Sequence, residues 1–97
     1  MTITVRGKVW LYTGPSGWHF FTIGKTVSRR IKKLQLSPHR GFGSVRVTAQ
    51  IGKTEWKTSI FPTKEGTYLL AIKSAVRKKE HIEPGNTVSV RFTIVVL

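Results

Sequence analysis

The feature that most limits the fold is a two-residue alternation of apolar side chains that returns along the whole chain. Val45, Val47, Ala49 and Ile51 alternate with Arg46, Thr48 and Gln50, and Val88, Val90, Phe92, Ile94 and Val96 stand at every second position of residues 87–96. Successive side chains of a strand point to opposite faces, so each run is a strand with one face against a core. Val5, Gly7, Val9 and Leu11 alternate with Arg6, Lys8, Trp10 and Tyr12 in the same way. Residues 18–23 return as a second strand after the turn composition of Thr13, Gly14, Pro15, Ser16 and Gly17. Residues 55–61 place Trp56, Thr58 and Ile60 on one face, and residues 68–72 form a short apolar strand after the turn at 62–66. Trp56 and Ile60 are therefore expected in the core.

Twice the period lengthens. Val27, Ile31 and Leu34 recur at helical spacing, with Ser28, Arg29, Arg30, Lys32 and Lys33 on the remaining faces. This predicts a helix over residues 26–35, with Thr26 capping its first turn and Ser37-Pro38 ending it. Residues 73–82 predict a second short helix with Ala75, Val76 and Ile82 inward, broken by Pro84-Gly85-Asn86. The order is then β-β-α-β followed by β-β-α-β. The halves also align in sequence: residues 23–30 fall on 72–79, and Val45, Val47 and Ile51 fall on Val88, Val90 and Ile94. The expectation is one mainly β domain over residues 1–97, a β-barrel with two short helices. It is read as pseudo-duplicated, with a weak repeat of 3–52 in 54–97. Two such units, clasped together, close a barrel and leave no open sheet edge.

Charge narrows the partner. Seventeen Lys and Arg stand against four Glu and no Asp, a formal net charge of +13. Such an excess attracts polyanions: nucleic acid, anionic lipid or an acidic protein. There is no cysteine, which excludes disulfides and thiolate metal sites and fits a cytoplasmic setting. Residues 1–6 read at once as strand and lack the apolar run of a signal peptide. No apolar run approaches the roughly 18 residues of a membrane span.

Chemistry is hard to build from this residue set. The only carboxylates are Glu55, Glu65, Glu80 and Glu83, none in an apolar context suited to a catalytic acid. Glu80 and Glu83 read as solvated partners of Arg77, Lys78 or Lys79. His19, His39 and His81 are far apart in sequence with no Asp or Cys beside them, so no metal site and no Ser–His–Asp set is expected. His19 reads as a strand surface residue. No phosphate-binding glycine loop or dinucleotide fingerprint is present. The chain is expected to be no enzyme and to need no cofactor or metal.

Basic clustering remains. Lys25, Arg29, Arg30, Lys32 and Lys33 lie on the polar side of the first helix, with Arg40 and Arg46 following it. Arg77, Lys78 and Lys79 occupy the matching place in the second half, so both helices are expected to carry a basic patch suited to phosphates. Solvated helix faces are the plainer alternative. Trp18 and Trp56 read as core or barrel-rim residues. Trp10 instead alternates with Arg6, Lys8 and Tyr12, which would make a charged stacking surface.

Four resemblances follow. Residues 70–90, with Gly85-Asn86 at their turn, resemble the strand, helix, Gly-Asp turn and strand of AbrB-like regulators and MazE-type antitoxins. That likeness implies a double-split β-barrel and DNA binding. Trp18-His19-Phe20, residues 41–45, Ile51-Gly52, residues 56–62, Gly66-Thr67-Tyr68 and Lys73 through Arg77 are together similar to a small bacterial and archaeal domain-of-unknown-function family. Its members occur alone or fused to bacteriocin-protection (OmpD-associated) domains. It implies a monomeric, pseudo-duplicated double-split barrel and no particular activity. Residues 40–47 start like the RNP1 strand of an RNA-recognition motif, but Ser44 and Val47 replace its later aromatics. Residues 7–12 and 17–21 resemble a cold-shock hairpin. The expected function is a nucleic-acid-binding barrel, for DNA or RNA, of low sequence specificity. The alternative is a protein-interaction module that docks an acidic partner or companion domain. A continuous basic stripe would favour the first, and an exposed apolar area the second.

Overall fold

A computed structural model of the chain describes residues 2–33 and 43–94. The elements run β1 (Thr2–Leu11), β2 (His19–Ile23), α1 (Lys25–Lys33), β3 (Val45–Ile51), β4 (Thr54–Pro62), β5 (Tyr68–Ala71), α2 (Ser74–Glu80) and β6 (Thr87–Ile94). Every strand pair is antiparallel, and the order β1-β2-β5-β4-β3-β6 closes into a barrel. Closure removes the unpaired edges that a sheet of this size would otherwise offer to other chains. The mainly β barrel with two short helices is thus the observed fold.

The alternation accounts for the wall. Val45, Val47, Ala49 and Ile51 of β3, Trp56 and Ile60 of β4, and Val90, Phe92 and Ile94 of β6 are all buried. Phe21 and Ile23 join them from β2, and Tyr68 and Leu70 from β5. Exchanging the two halves maps the set of strand pairings onto itself. The pair Val9–Phe21 becomes Ile60–Leu70, Trp10–Phe20 becomes Phe61–Leu69, and Leu11–His19 becomes Pro62–Tyr68. Even the hairpin closures agree, with Tyr12 N–H donating to Trp18 C=O (2.8 Å) and Thr63 N–H to Thr67 C=O (2.9 Å). In the last strands the pairing matches Ala49, not Val47, with Val90, one pleat further along than the sequence alignment.

Several sequence expectations need correction. The first helix starts at Lys25, with Gly24 C=O accepting from Ser28 N–H (2.9 Å), so Thr26 lies inside the first turn and is not its cap. Ser28 is fully buried instead of lying on the polar face. Its Oγ donates to Ile23 C=O (2.9 Å) and accepts from Tyr68 N–H (3.1 Å), tying α1 to β2 and β5. Leu11 is exposed because β6 covers β1 only as far as Lys8, leaving no core beneath the hairpin tip. Ala75 is exposed too, since this seven-residue helix sends only Val76 into the core. Ile82 is buried as expected. The expected roles of Leu34, Gln35, Arg40 and Val96 fall outside the described residues.

Two turns show why glycine sits where it does. Gly85 has φ +92° and donates its N–H to Val9 C=O (2.7 Å), while Asn86 C=O accepts from Val9 N–H (3.0 Å). The turn after α2 is thereby locked to β1. Gly52, at φ +58°, packs against the Glu80 carboxylate, where any Cβ would collide with Oε1.

Candidate functional site

The outward positions of β1 bring Arg6, Lys8 and Trp10 into one exposed row. Arg6 lies opposite Ser89, Lys8 opposite Thr87, and Trp10 opposite Phe20. The row ends in a cluster of four rings. Phe20 is its centre, with Trp10 tilted against it at 5.2 Å between ring centroids, Tyr12 edge-on at 6.2 Å and Trp18 stacked at 5.9 Å. Trp10, Tyr12 and Trp18 are 37%, 49% and 53% exposed. Trp10 Nε1 donates to Thr22 Oγ1 (2.9 Å), which fixes the indole across the hairpin. Trp56, by contrast, is a core residue, as its alternation predicts. The exposure of Trp10 follows from its place in the pattern. That of Trp18 does not, because it precedes the ladder.

The helices do not form one patch with each other. Ser28 anchors α1 where Ile23 pairs with Tyr68, at one end of the β2–β5 pair. The other end holds α2, where Ile72 N–H donates to His19 C=O (2.9 Å). There Arg77 Nε donates to Ile72 C=O (3.1 Å). The two anchors are separated by the length of β2, roughly 14 Å. Lys25, Arg29, Arg30, Lys32 and Lys33 are all exposed at the first end. Lys78 and Lys79 are exposed on α2, at the end that also carries the aromatic cluster. Arg46 is exposed on β3, opposite Ser59, on another part of the wall.

Arg77 differs from its neighbours. It is half-buried, and Nη1 lies 3.5 Å from His19 Nε2. His19 Nδ1 lies 2.8 Å from Gly17 C=O, which can only accept, so the ring proton sits on Nδ1 and Nε2 faces the guanidinium as an acceptor. His19 is thus a half-buried bridge between hairpin and helix, more than a surface strand residue. Glu80 also departs from expectation. It takes a hydrogen bond from Thr54 Oγ1 (2.6 Å), binding α2 to β4.

At the start of β1 and on its neighbour β6 and the adjoining β3, the outward residues are polar. Thr2 Oγ1 and Thr93 Oγ1 share a hydrogen bond (3.0 Å), and Arg91 Nη2 donates to Gln50 Oε1 (2.8 Å). Among the described residues no group of three or more His, Cys, Asp or Glu is placed to hold a metal ion. No helix among them is long and apolar enough to cross a membrane. Burial raises the Tyr68 phenol above its ordinary pKa of 10.0.

Fold and surface together define a closed antiparallel β-barrel whose first hairpin presents rings and cations to solvent. The family model for a domain of unknown function, DUF1905, matches residues 6–92, and the chain belongs to that family. No curated protein matches it significantly.

Proposed function

We propose that this barrel is a binding module without chemistry of its own, and that its ligand is nucleic acid held with low sequence specificity. The observation that carries the reading is the placement of the charge. Seventeen cations face four carboxylates, so the cations far outnumber the carboxylates that could neutralise them. Arg6 and Lys8 on β1, the cations of α1, and Lys78 and Lys79 on α2 are exposed, while Val9, Ile31 and Val76 of the same elements face the core. A surface of this kind gains affinity by releasing counterions from phosphates. The likeness of residues 70–90 to DNA-binding AbrB-like regulators supports the same partner.

The test is a salt titration of binding to DNA and RNA. Log K is expected to fall linearly with log salt, by about 0.9 per phosphate contacted on a duplex. Neutralising Arg29, Arg30, Lys32 and Lys33 together should flatten that slope while leaving the fold intact, because Val27, Ser28 and Ile31 form the packing face. Absence of binding at low salt would sink the reading. One observation favours a second, an acidic protein partner: Leu11 and Phe61 are exposed beside the rings and on β4.

A further inference from the structure

Charge alone does not account for the four rings at the tip of the first hairpin. Trp18 and Phe20 are parallel to within 6°, and Trp18 leaves more than half of its surface to water. A two-ring stack of this kind has an outer face that a third flat ring can extend. Trp10 is set in place by Thr22 before any ligand arrives. Arg6 and Lys8 continue its row along β1, one step of about 6.7 Å for every two residues. That step is about twice the 3.4 Å rise between phosphates of one stacked strand. Neither β1 nor β2 contains a carboxylate. An occupant that satisfies the whole surface brings flat apolar faces and regularly spaced negative charge together.

Resting on the nucleic-acid reading above, we infer that this surface selects single strands over duplexes. Bases extend the Trp18–Phe20 stack and lie on Trp10, while phosphates run along Arg6 and Lys8. A duplex stacks its bases on one another and offers only their edges in its grooves, so it leaves the rings without a partner.

The experiment is a fluorescence titration of the full chain with oligothymidylate, oligouridylate, a duplex of equal length and polyglutamate, all at low salt. Trp10 and Trp18 are exposed and Trp56 is buried, so quenching reports the proposed surface. Either single strand is expected to quench and to bind more tightly than the duplex. Trp10→Ala and Trp18→Ala should each weaken single-strand binding by about five- to 150-fold and leave duplex binding unchanged. Trp18→Phe should recover most of the loss, and Phe61→Ala should cost nothing. Equal affinity for single strand and duplex, without quenching, would overturn this inference and leave the nucleic-acid reading standing. Failure of every nucleic acid to bind would overturn both. Quenching by polyglutamate equal to that by the single strands would assign the surface to an acidic protein instead.

Discussion

Ser28 in the first half and Arg77 in the second occupy the same place in the barrel and perform the same task by different means. Each sends a side-chain donor to the carbonyl of an equivalent isoleucine, Ile23 or Ile72, and each reaches across to the neighbouring strand, at Tyr68 or His19. The hydroxyl is fully buried, whereas the longer guanidinium is half-buried. At the hairpin tips the halves part company. Tyr12 and Trp18 of the first hairpin correspond to Thr63 and Thr67 of the second, whose hydroxyls hydrogen-bond each other (2.7 Å). What the halves share is the scaffold: closures, helix anchors and inward residues. What they do not share, a ring cluster against a threonine latch, is where a function of one half has to be sought.

The largest break in the comparison is expected at Trp56. The pairing makes it the counterpart of Val5, yet Trp56 is buried and Val5 only packs against the core from its margin. Trp56→Ala should therefore cost about 3–5 kcal/mol, and Val5→Ala about 1 kcal/mol, by chemical denaturation. Equal losses would mean that the core is shared evenly between the halves.

The helix anchors come next. Ser28→Ala leaves the buried Tyr68 N–H without its acceptor and the Ile23 carbonyl without this donor, at a cost of about 1–3 kcal/mol. Arg77→Ala should cost about 1 kcal/mol, because the guanidinium is only half-buried and water can take its place beside the Ile72 carbonyl. A larger loss at Arg77 than at Ser28 would reverse the assignment of the tighter anchor to the first half.

Legibility in the sequence follows the same division. Period-two runs placed β3 residue for residue and set Trp56 and Ile60 on one inward face, because alternation depends only on the strand itself. Ser28 was hidden because a hydroxyl in a basic helix reads as solvated. Its burial depends on Tyr68 N–H, forty residues away, arriving at that spot. Leu11 misled for the converse reason: its alternation is right, but β1 outruns β6 and nothing lies beneath it. Of the candidate site, the Arg6–Lys8–Trp10 row was readable from β1 alone. The junction of Tyr12, Trp18 and Phe20 was not, since it forms only when the hairpin folds back on itself. Likewise, two basic helices are visible in the chain, but their opposite ends of the β2–β5 pair emerge only from strand order.

The smallest effect concerns another pair of equivalent residues, His19 and Tyr68, both of them ionisable. Tyr68 is buried, and desolvation holds its phenol above 10.0 because the phenolate would lose its hydration there. The unfolded chain therefore gives up this proton first as pH rises. Above pH 10.0 the native state binds more protons than the unfolded state, so stability falls with increasing pH until the folded pKa is passed. The stabilisation that burial gives to the neutral phenol is fully present at neutral pH and lost across that alkaline window. Tyr68→Phe cannot titrate. Denaturation midpoints of the two proteins, measured from neutral pH to beyond pH 10.0, should run parallel at first and then diverge, with the wild type losing the more. Parallel curves throughout would mean that the Tyr68 hydroxyl reaches water despite the burial of its ring, as its counterpart His19 does at the other end of the β2–β5 pair.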